Sequence, residues 1–180
     1  MQAYLKKHGD VYAKHIVKVS WEMTGRKVLM DFTVQKRIKE NWTCDSSFSQ
    51  DWSKNWGLWN HDVVEAFLQL RTQEGQLNAP YLEIQVSPLN QPFALIITEP
   101  RKTFFAPSQL DFKSSVTLDH LHWESHIELT LPDDIQGEKL FGGFFSCLGS
   151  DPREYFALMP NPEANPDFHR PELFQSLDLE

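Results

Sequence analysis

Histidines at alternate positions are the first residues whose types and spacing could carry chemistry. His120, His122 and His126 share this pattern with Glu124. In a β-strand, residues two apart project from the same face at a separation of about 6.6 Å, close enough for two imidazoles to share one transition metal. The same alternation also produces the solvated polar face of a half-buried strand. Because no fixed motif supplies further ligands, we expect the solvated face and no metal site.

Acidic side chains offer a second kind of chemistry, the paired carboxyl groups of glycoside hydrolases. Asp62, Glu65, Glu83 and Glu124 could form such pairs, although 25 acidic residues make pairs easy to find by chance. The sequence contains no Gly-rich phosphate loop, GxSxG elbow or HExxH pattern. We therefore expect a protein that is not an enzyme, and keep a metalloenzyme that uses the histidine stripe as an alternative.

Charge and composition narrow the classes of partner. The chain has 17 basic and 25 acidic residues, and its net charge of −8 opposes binding to nucleic acid or anionic membranes. The start shows no apolar run of the kind found in secretion signals, so we expect a cytoplasmic protein. Cys44 and Cys147 have no metal-ligand spacing, and we expect two free thiols. A hydrophobic content of 41% is enough for one core, which predicts a single domain over residues 1–180.

Period-two alternation of apolar residues predicts the elements that would position these side chains. It predicts eight or nine strands and a hairpin turn at Thr24–Arg26, with no amphipathic helix longer than three turns. The segment 62–70 fits either a strand or a short helix, and the proline-containing tail 161–180 is expected to run over the surface. The pattern as a whole predicts an all-β fold, an antiparallel β-sandwich or jelly roll. The predicted strands lie within residues 15–24, 26–35, 62–71, 81–88, 93–100, 118–132, 139–149 and 153–160.

Residues 40–62 are polar but contain four of the six tryptophans. A loop of this composition either closes the end of a β-fold or forms a recognition surface, because an indole offers a large apolar face and one donor. Both interpretations stay open at this point.

The segment 57–68 carries a family resemblance. Its order of Leu58-Trp59, Asp62 and Val64-Glu65 before a hydrophobic pair resembles the family 9 carbohydrate-binding modules and their relatives with a DOMON-like sandwich fold. Three further pieces follow in the order that family has, at residues 81–88, 123–132 and 166–174. The similarity runs from about residue 11 to residue 174.

The resemblance implies a β-sandwich that binds a small saccharide, or the end of a glycan, without catalysis. By position in the motif, Trp59 is expected to stack on a sugar ring while Asp62 and Glu65 accept hydrogen bonds from hydroxyls. The physics agrees, since the C–H face of a sugar packs on an indole and its hydroxyls need fixed partners. The alternative is that Asp62 and Glu65 bond backbone N–H groups and fix the loop.

The chain departs from the family pattern at several positions, and other residues are expected to take over the binding contacts there. Gly143 and Ser146 stand where an amide and a basic residue are expected, and a second tryptophan is missing near Tyr155 and Phe156. We expect Phe156, or Tyr155, to supply the second aromatic face, and Glu83 to add a carboxylate. The resemblance requires no cofactor and allows structural calcium. The alternative function is a structural or interaction domain that kept the fold, lost the sugar site and binds a protein partner through the Trp-rich loop.

Overall fold

Strands make up the fold of the computed structural model, which describes residues 1–9, 12–38, 40–73, 75–163 and 166–178. All of their pairings are antiparallel. Within these ranges the helical elements are three single turns of 3-10 helix, at Trp52–Lys54, Leu58–Asn60 and Pro171–Leu173. The strands are β1 (Gln2–Tyr4), β2 (Lys6–Lys7), β3 (His15–Thr24), β4 (Lys27–Lys36), β5 (Val63–Arg71), β6 (Tyr81–Val86), β7 (Pro92–Glu99), β8 (Thr103–Phe105), β9 (Asp111–Leu118), β10 (His122–Thr130), β11 (Lys139–Leu148), β12 (Glu154–Ala157) and β13 (Gln175–Ser176).

Two antiparallel sheets pack face to face, which confirms the predicted β-sandwich. The first sheet has five strands in the order β1-β3-β4-β10-β9. The second has eight, in the order β2-β12-β11-β5-β6-β7-β8, with β13 paired to β11. The segment 62–70 is therefore a strand, and the short-helix alternative is wrong.

The hairpin of β3 and β4 shows how alternation builds the first sheet. Gly25 occupies its turn with φ of 61°, a left-handed conformation that glycine adopts without steric cost. The buried residues of β3 alternate with partly exposed ones, so the strand presents one apolar face to the second sheet. The predicted turn and the predicted alternation are both confirmed.

Alternate residues of both sheets meet in the core between them. β4 contributes Met30 and Phe32, β5 contributes Ala66 and Leu68, and all four are at most 1% exposed. Trp123 of β10 is fully buried in the same cluster. Burying one large apolar side chain stabilises the fold by about 1.5–3 kcal/mol, so this layer supplies most of the driving force.

The outer face of the second sheet carries a separate apolar cluster. The C-terminal segment and the Trp-rich loop 40–62 pack against this face, and the cluster comprises Leu58, Val63, Phe67, Tyr81, Phe93, Leu95, Ile97, Phe141, Phe145, Cys147, Ala157 and Phe174. With both faces covered, β5 is buried along its whole length. The tail contributes Phe174 to this cover, whereas Leu177 is buried in the core between the sheets. Since β13 also pairs with β11, the expectation of a tail that runs over the surface is corrected.

None of the helical turns in the described ranges is long and apolar enough to cross a membrane.

Candidate functional site

A cavity of about 430 Å³ opens on the outer face of the second sheet. Its floor is formed by alternate residues of the sheet, and its walls come from the Trp-rich loop, the hairpin of β7 and β8, the start of β12 and the segment 166–169. The floor includes Glu65, Phe67, Glu83, Gln85, Leu95 and Cys147, and the walls include Trp56, Trp59, Arg101, Phe104, Arg153, Tyr155, Phe168 and His169.

Glu65 and Glu83 form a buried carboxyl pair on the floor. Glu65 of β5 is opposite Gln85 of β6, and Glu83 is opposite Phe67, so the two acids are diagonal neighbours on one face of the sheet. Their exposed fractions are only 3% and 4%. Burial, with a smaller contribution from Glu83, raises the pKa of Glu65 to about 8. Burial raises the pKa of Glu83 to about 7, against the opposing effect of the Gln85 hydrogen bond.

Few donors reach these two carboxyl groups. Gln85 Nε2 donates to Glu83 Oε1 at 2.7 Å, and the Cys147 thiol lies 3.8 Å from Glu65 Oε1. His169 Nε2 is 3.9 Å from Glu83 Oε2. Gln85 Oε1 is buried, and it has no hydrogen-bond partner among the described residues. The floor therefore offers acceptor atoms with unused capacity.

Trp59 lies in the wall because the chain makes a tight turn before β5. Gly57, with φ of 90°, precedes the 3-10 turn Leu58–Asn60, and Leu58 anchors that turn by being fully buried. The Trp59 ring packs edge-on against Trp56, with ring centroids 4.9 Å apart, and its centroid lies 5.7 Å from that of Phe93. An indole held in this way can offer an apolar face to a ligand without first losing much conformational freedom.

Arg153 fixes the turn that carries Trp59. Its guanidinium donates to the carbonyl oxygens of Trp59, Asn60, His61 and Gly149 at 2.8, 3.1, 2.5 and 3.2 Å. The three bonds to Trp59, Asn60 and His61 tie the start of β12 to the loop before β5, and the bond to Gly149 lies within the turn between β11 and β12. The charge of Arg153 also acts on Glu65 and lowers its pKa, but burial and Glu83 outweigh this effect.

His169 lines the cavity next to Glu83, Tyr81 and Phe67. Its Nδ1 is 2.7 Å from the Tyr81 hydroxyl, and its ring centroid lies 5.0 Å from that of Phe67. Burial lowers the pKa of His169 to about 4, so the imidazole is neutral at pH 7. Arg101, also in the wall, forms an ion pair with Asp167.

Asp62, one of the expected binding residues, lies outside the cavity. It is fully buried, its Oδ2 accepts from the Thr43 N–H at 2.9 Å, and its Oδ1 accepts from the Gly149 N–H at 2.6 Å. This is the alternative considered above, a carboxylate that fixes the loop. Burial raises its pKa, against the opposing effect of those two hydrogen bonds.

Phe156 also lies outside the cavity, contrary to expectation. It is 2% exposed and belongs to the core between the sheets, where its ring centroid is 6.5 Å from that of His15. Successive residues of a strand face opposite sides of the sheet, so its neighbour Tyr155 lines the cavity instead. Of the five expected residues, the structure brings together Trp59, Glu65 and Glu83.

His122 and His126 lie on the exposed face of the first sheet, whereas His120 lies in the turn between β9 and β10, so the predicted stripe is interrupted. His126 Nδ1 contacts Asp31 Oδ1 at 2.6 Å, and His122 Nδ1 is 3.6 Å from Asp119. Glu124, between the two histidines, is exposed as well. Within the described ranges, no group of three or more His, Cys, Asp or Glu side chains is placed to hold a metal ion.

Several cavity residues were absent from the sequence-based expectations. Glu83 and Gln85 stand two apart in a predicted strand, so the alternation alone could have added Gln85. Arg153 and His169 carried no local signal, because they reach the cavity through contacts between segments far apart in the chain.

Known proteins of similar sequence are relatives of this chain. No family model matches the chain. The protein from Rattus norvegicus named UPF0462 protein C4orf33 homolog is 36% identical over 126 residues, which cover 66% of this chain and 59% of that protein. The Danio rerio protein of the same name is 30% identical over 131 residues, covering 69% and 62%. The chain thus spans about three fifths of the length of these relatives.

Solved structures share the fold. A family 9 carbohydrate-binding module from Caldicellulosiruptor kristjanssonii in complex with glucose has a TM-score of 0.59 and 15% identity, covering 95% of this chain and 82% of that one. The complex of such a module from the same organism with cellotriose has a TM-score of 0.60 and the same identity, covering 94% and 78%. At this identity the likeness shows a carbohydrate-binding-module-like β-sandwich.

Proposed function

We propose that the cavity on the outer face of the second sheet binds a small saccharide, or the end of a glycan, without catalysis. One observation carries the proposal: the indole of Trp59 and the carboxyl groups of Glu65 and Glu83 line the same cavity. An apolar wall next to fixed hydrogen-bonding groups suits a sugar, whose ring faces are apolar and whose edges are polar. A cavity of about 430 Å³ is also within the usual range for small-ligand pockets.

Each group has a defined role in this proposal. Trp59 packs on the ring face of the sugar. Glu65, Glu83 and Gln85 Oε1, which has no hydrogen-bond partner among the described residues, accept from hydroxyls, and Tyr155 takes the place of the missing second tryptophan. Structural neighbours that hold glucose and cellotriose add support, since they share the fold.

An interaction domain that binds a protein partner is the second candidate. Trp56 is 58% exposed and stacks on Phe104, which is 44% exposed, so an aromatic pair stands at the rim of the cavity. Exposed aromatics of this kind also occur at protein interfaces. The concave shape, with buried acceptors at its floor, favours the saccharide instead.

Titration with glucose and cellotriose tests the proposal. Binding places a sugar against Trp59, so we expect a saturable change in tryptophan fluorescence and a matching heat of binding by calorimetry. If neither sugar, nor any glycan of an array, binds through the millimolar range, the saccharide proposal is wrong. In that case the interaction domain becomes the better account.

A further inference from the structure

The floor of the cavity has more acceptors than donors. Glu65 and Glu83 supply four carboxyl oxygens, and among the described residues the donors that reach them are the Gln85 amide and the weakly donating Cys147 thiol. Gln85 is 1% exposed, and its Oε1 is buried without a hydrogen-bond partner among the described residues. A buried acceptor of this kind is costly unless a ligand supplies a donor.

The hydrogen bonds of the basic wall residues go to groups other than the two floor carboxyl groups. In the described part of the chain, the basic side chains lining the cavity are Arg101, Arg153 and His169. Arg153 donates to four backbone carbonyls and also interacts with the Cys147 thiol, and its charge acts on Glu65 without a hydrogen bond among the described residues. Arg101 pairs with Asp167. His169 is neutral at pH 7 because burial lowers its pKa to about 4. The two floor carboxyl groups therefore have no hydrogen-bonded cation in the described structure.

Aromatic rings complete the surroundings of the carboxyl pair. Trp59, Tyr155, Phe67 and Phe168 line the same cavity. The faces of such rings carry negative electrostatic potential and attract ammonium groups, the more so where water is excluded. Buried carboxyl groups beneath aromatic walls form a combination that favours a ligand with a positive charge.

We propose that this cavity prefers an amino sugar with a free ammonium group over the corresponding neutral sugar. The ammonium lies at the floor, where it donates to Glu65, Glu83 and Gln85 Oε1, while the ring packs on Trp59. This inference rests on the proposed saccharide function and assigns its ligand class. Binding brings a cation to carboxyl groups that are partly protonated at neutral pH, so the complex releases protons to solvent.

Calorimetric titrations at pH 6.5 with D-glucose, D-glucosamine and 6-amino-6-deoxy-D-glucose test the preference. Charge-assisted hydrogen bonds are about twice as strong as neutral ones, so at least one amine should bind about ten-fold more tightly than glucose. Repeating the titration in two buffers of different ionisation enthalpy measures proton exchange. We expect net proton release with the tighter amine and less with glucose.

A double variant assigns the preference to the carboxyl pair. In Glu65→Gln with Glu83→Gln, the ratio of amine to glucose affinity should fall close to one, because the variant keeps hydrogen-bonding atoms and loses the charge. Glu124→Gln, on the exposed face of the opposite sheet, is the matched control and should keep the ratio of the wild type. Should the double variant not fold, proton release by the wild type still decides the question.

The outcomes separate the two proposals. If glucose binds and neither amine binds more tightly, the amino-sugar inference is overturned while the saccharide proposal stands. If an amine binds more tightly but the ratio survives in the folded double variant, or no protons are released, the assigned floor site is wrong. If no sugar of the three binds, and no glycan of the array binds, the saccharide proposal fails and this inference fails with it.

Discussion

Glu65 and Glu83 face the same cavity from neighbouring strands, as diagonal neighbours that are both almost completely buried. Two acids in this arrangement destabilise each other when both are ionised, and burial disfavours ionisation of either one. A fold built for stability alone gains nothing from such a pair. The arrangement has consequences that stability measurements and ligand binding can each report.

Stability should fall as the pH rises from 5 to 8. The pKa of Glu65 is about 8 in the folded chain against an ordinary value of 4.5, so the unfolded chain releases the proton at lower pH. The contribution to stability is fully present below about pH 4.5 and is lost as the pH approaches 8. We expect the melting temperature to drop by about 5 °C or more over that range, since 1 kcal/mol corresponds to about 2–4 °C at this chain length.

The variant Glu65→Gln provides the check on that assignment. It cannot ionise, so its melting temperature should depend less on pH than that of the wild type, while the control Glu124→Gln should behave as the wild type does. Equal pH slopes in all three proteins, measured by thermal scans in matched buffers, would contradict the assignment.

Trp59→Ala should weaken saccharide binding more than any other tryptophan substitution. Removing the indole exposes the apolar face of the sugar to water, and we expect a loss of about 1.5–3 kcal/mol in binding free energy. Trp56→Ala, which removes an exposed rim residue, should cost less. Calorimetry on the folded variants measures both losses, with Tyr4→Ala, an exposed aromatic on the first sheet, as the control. A Trp56 loss larger than that of Trp59 would reverse the assigned roles.

Asp62→Ala should lower stability and leave the affinity of the folded protein for its ligand unchanged. Two backbone N–H groups lose a buried carboxylate, and hydrogen bonds to charged groups are worth about 1.5–3 kcal/mol each. We expect about 3 kcal/mol less free energy of unfolding in urea titrations, against little change for the exposed Asp133→Ala. Reduced affinity at normal stability would instead make Asp62 a binding residue.

The histidine stripe should bind no metal tightly. His122 and His126 are exposed, and each contacts a single carboxylate. We expect metal analysis of dialysed protein to find no stoichiometric zinc, copper or nickel. Metal that is retained by the wild type and lost in the double variant His120→Ala with His122→Ala would overturn this expectation.

Local patterns sufficed for β3, β4 and β10 of the first sheet, missed its strands β1 and β9, and failed where tertiary contacts decide. The alternation of β3, β4 and β10 predicts their buried faces because one side of that sheet meets solvent. β5 and β6 are buried on both faces, so polarity does not mark which side of these strands a residue faces.

Phe156 and Arg153 show that local sequence patterns also fail to predict the role of single residues. A shift of one position moves a side chain to the other side of a sheet, and this separates buried Phe156 from the cavity residue Tyr155. Arg153 acquires its role only from the loop that folds against it, more than 90 positions away in the chain. No local pattern records such a contact.

The complete burial of β5 restricts how this strand can vary. Val64, Ala66 and Leu68 pack between the sheets, while Glu65 and Phe67 face the cavity. Substitutions are therefore restricted on both faces of the strand. In a saturation-mutagenesis survey, β5 should show intolerance at every position, whereas β9, with exposed residues at alternate positions, should tolerate polar changes at each second one. The floor of the cavity thus lies on strands that are buried on both faces, and changes in ligand preference would arise more readily in the loops that form its walls.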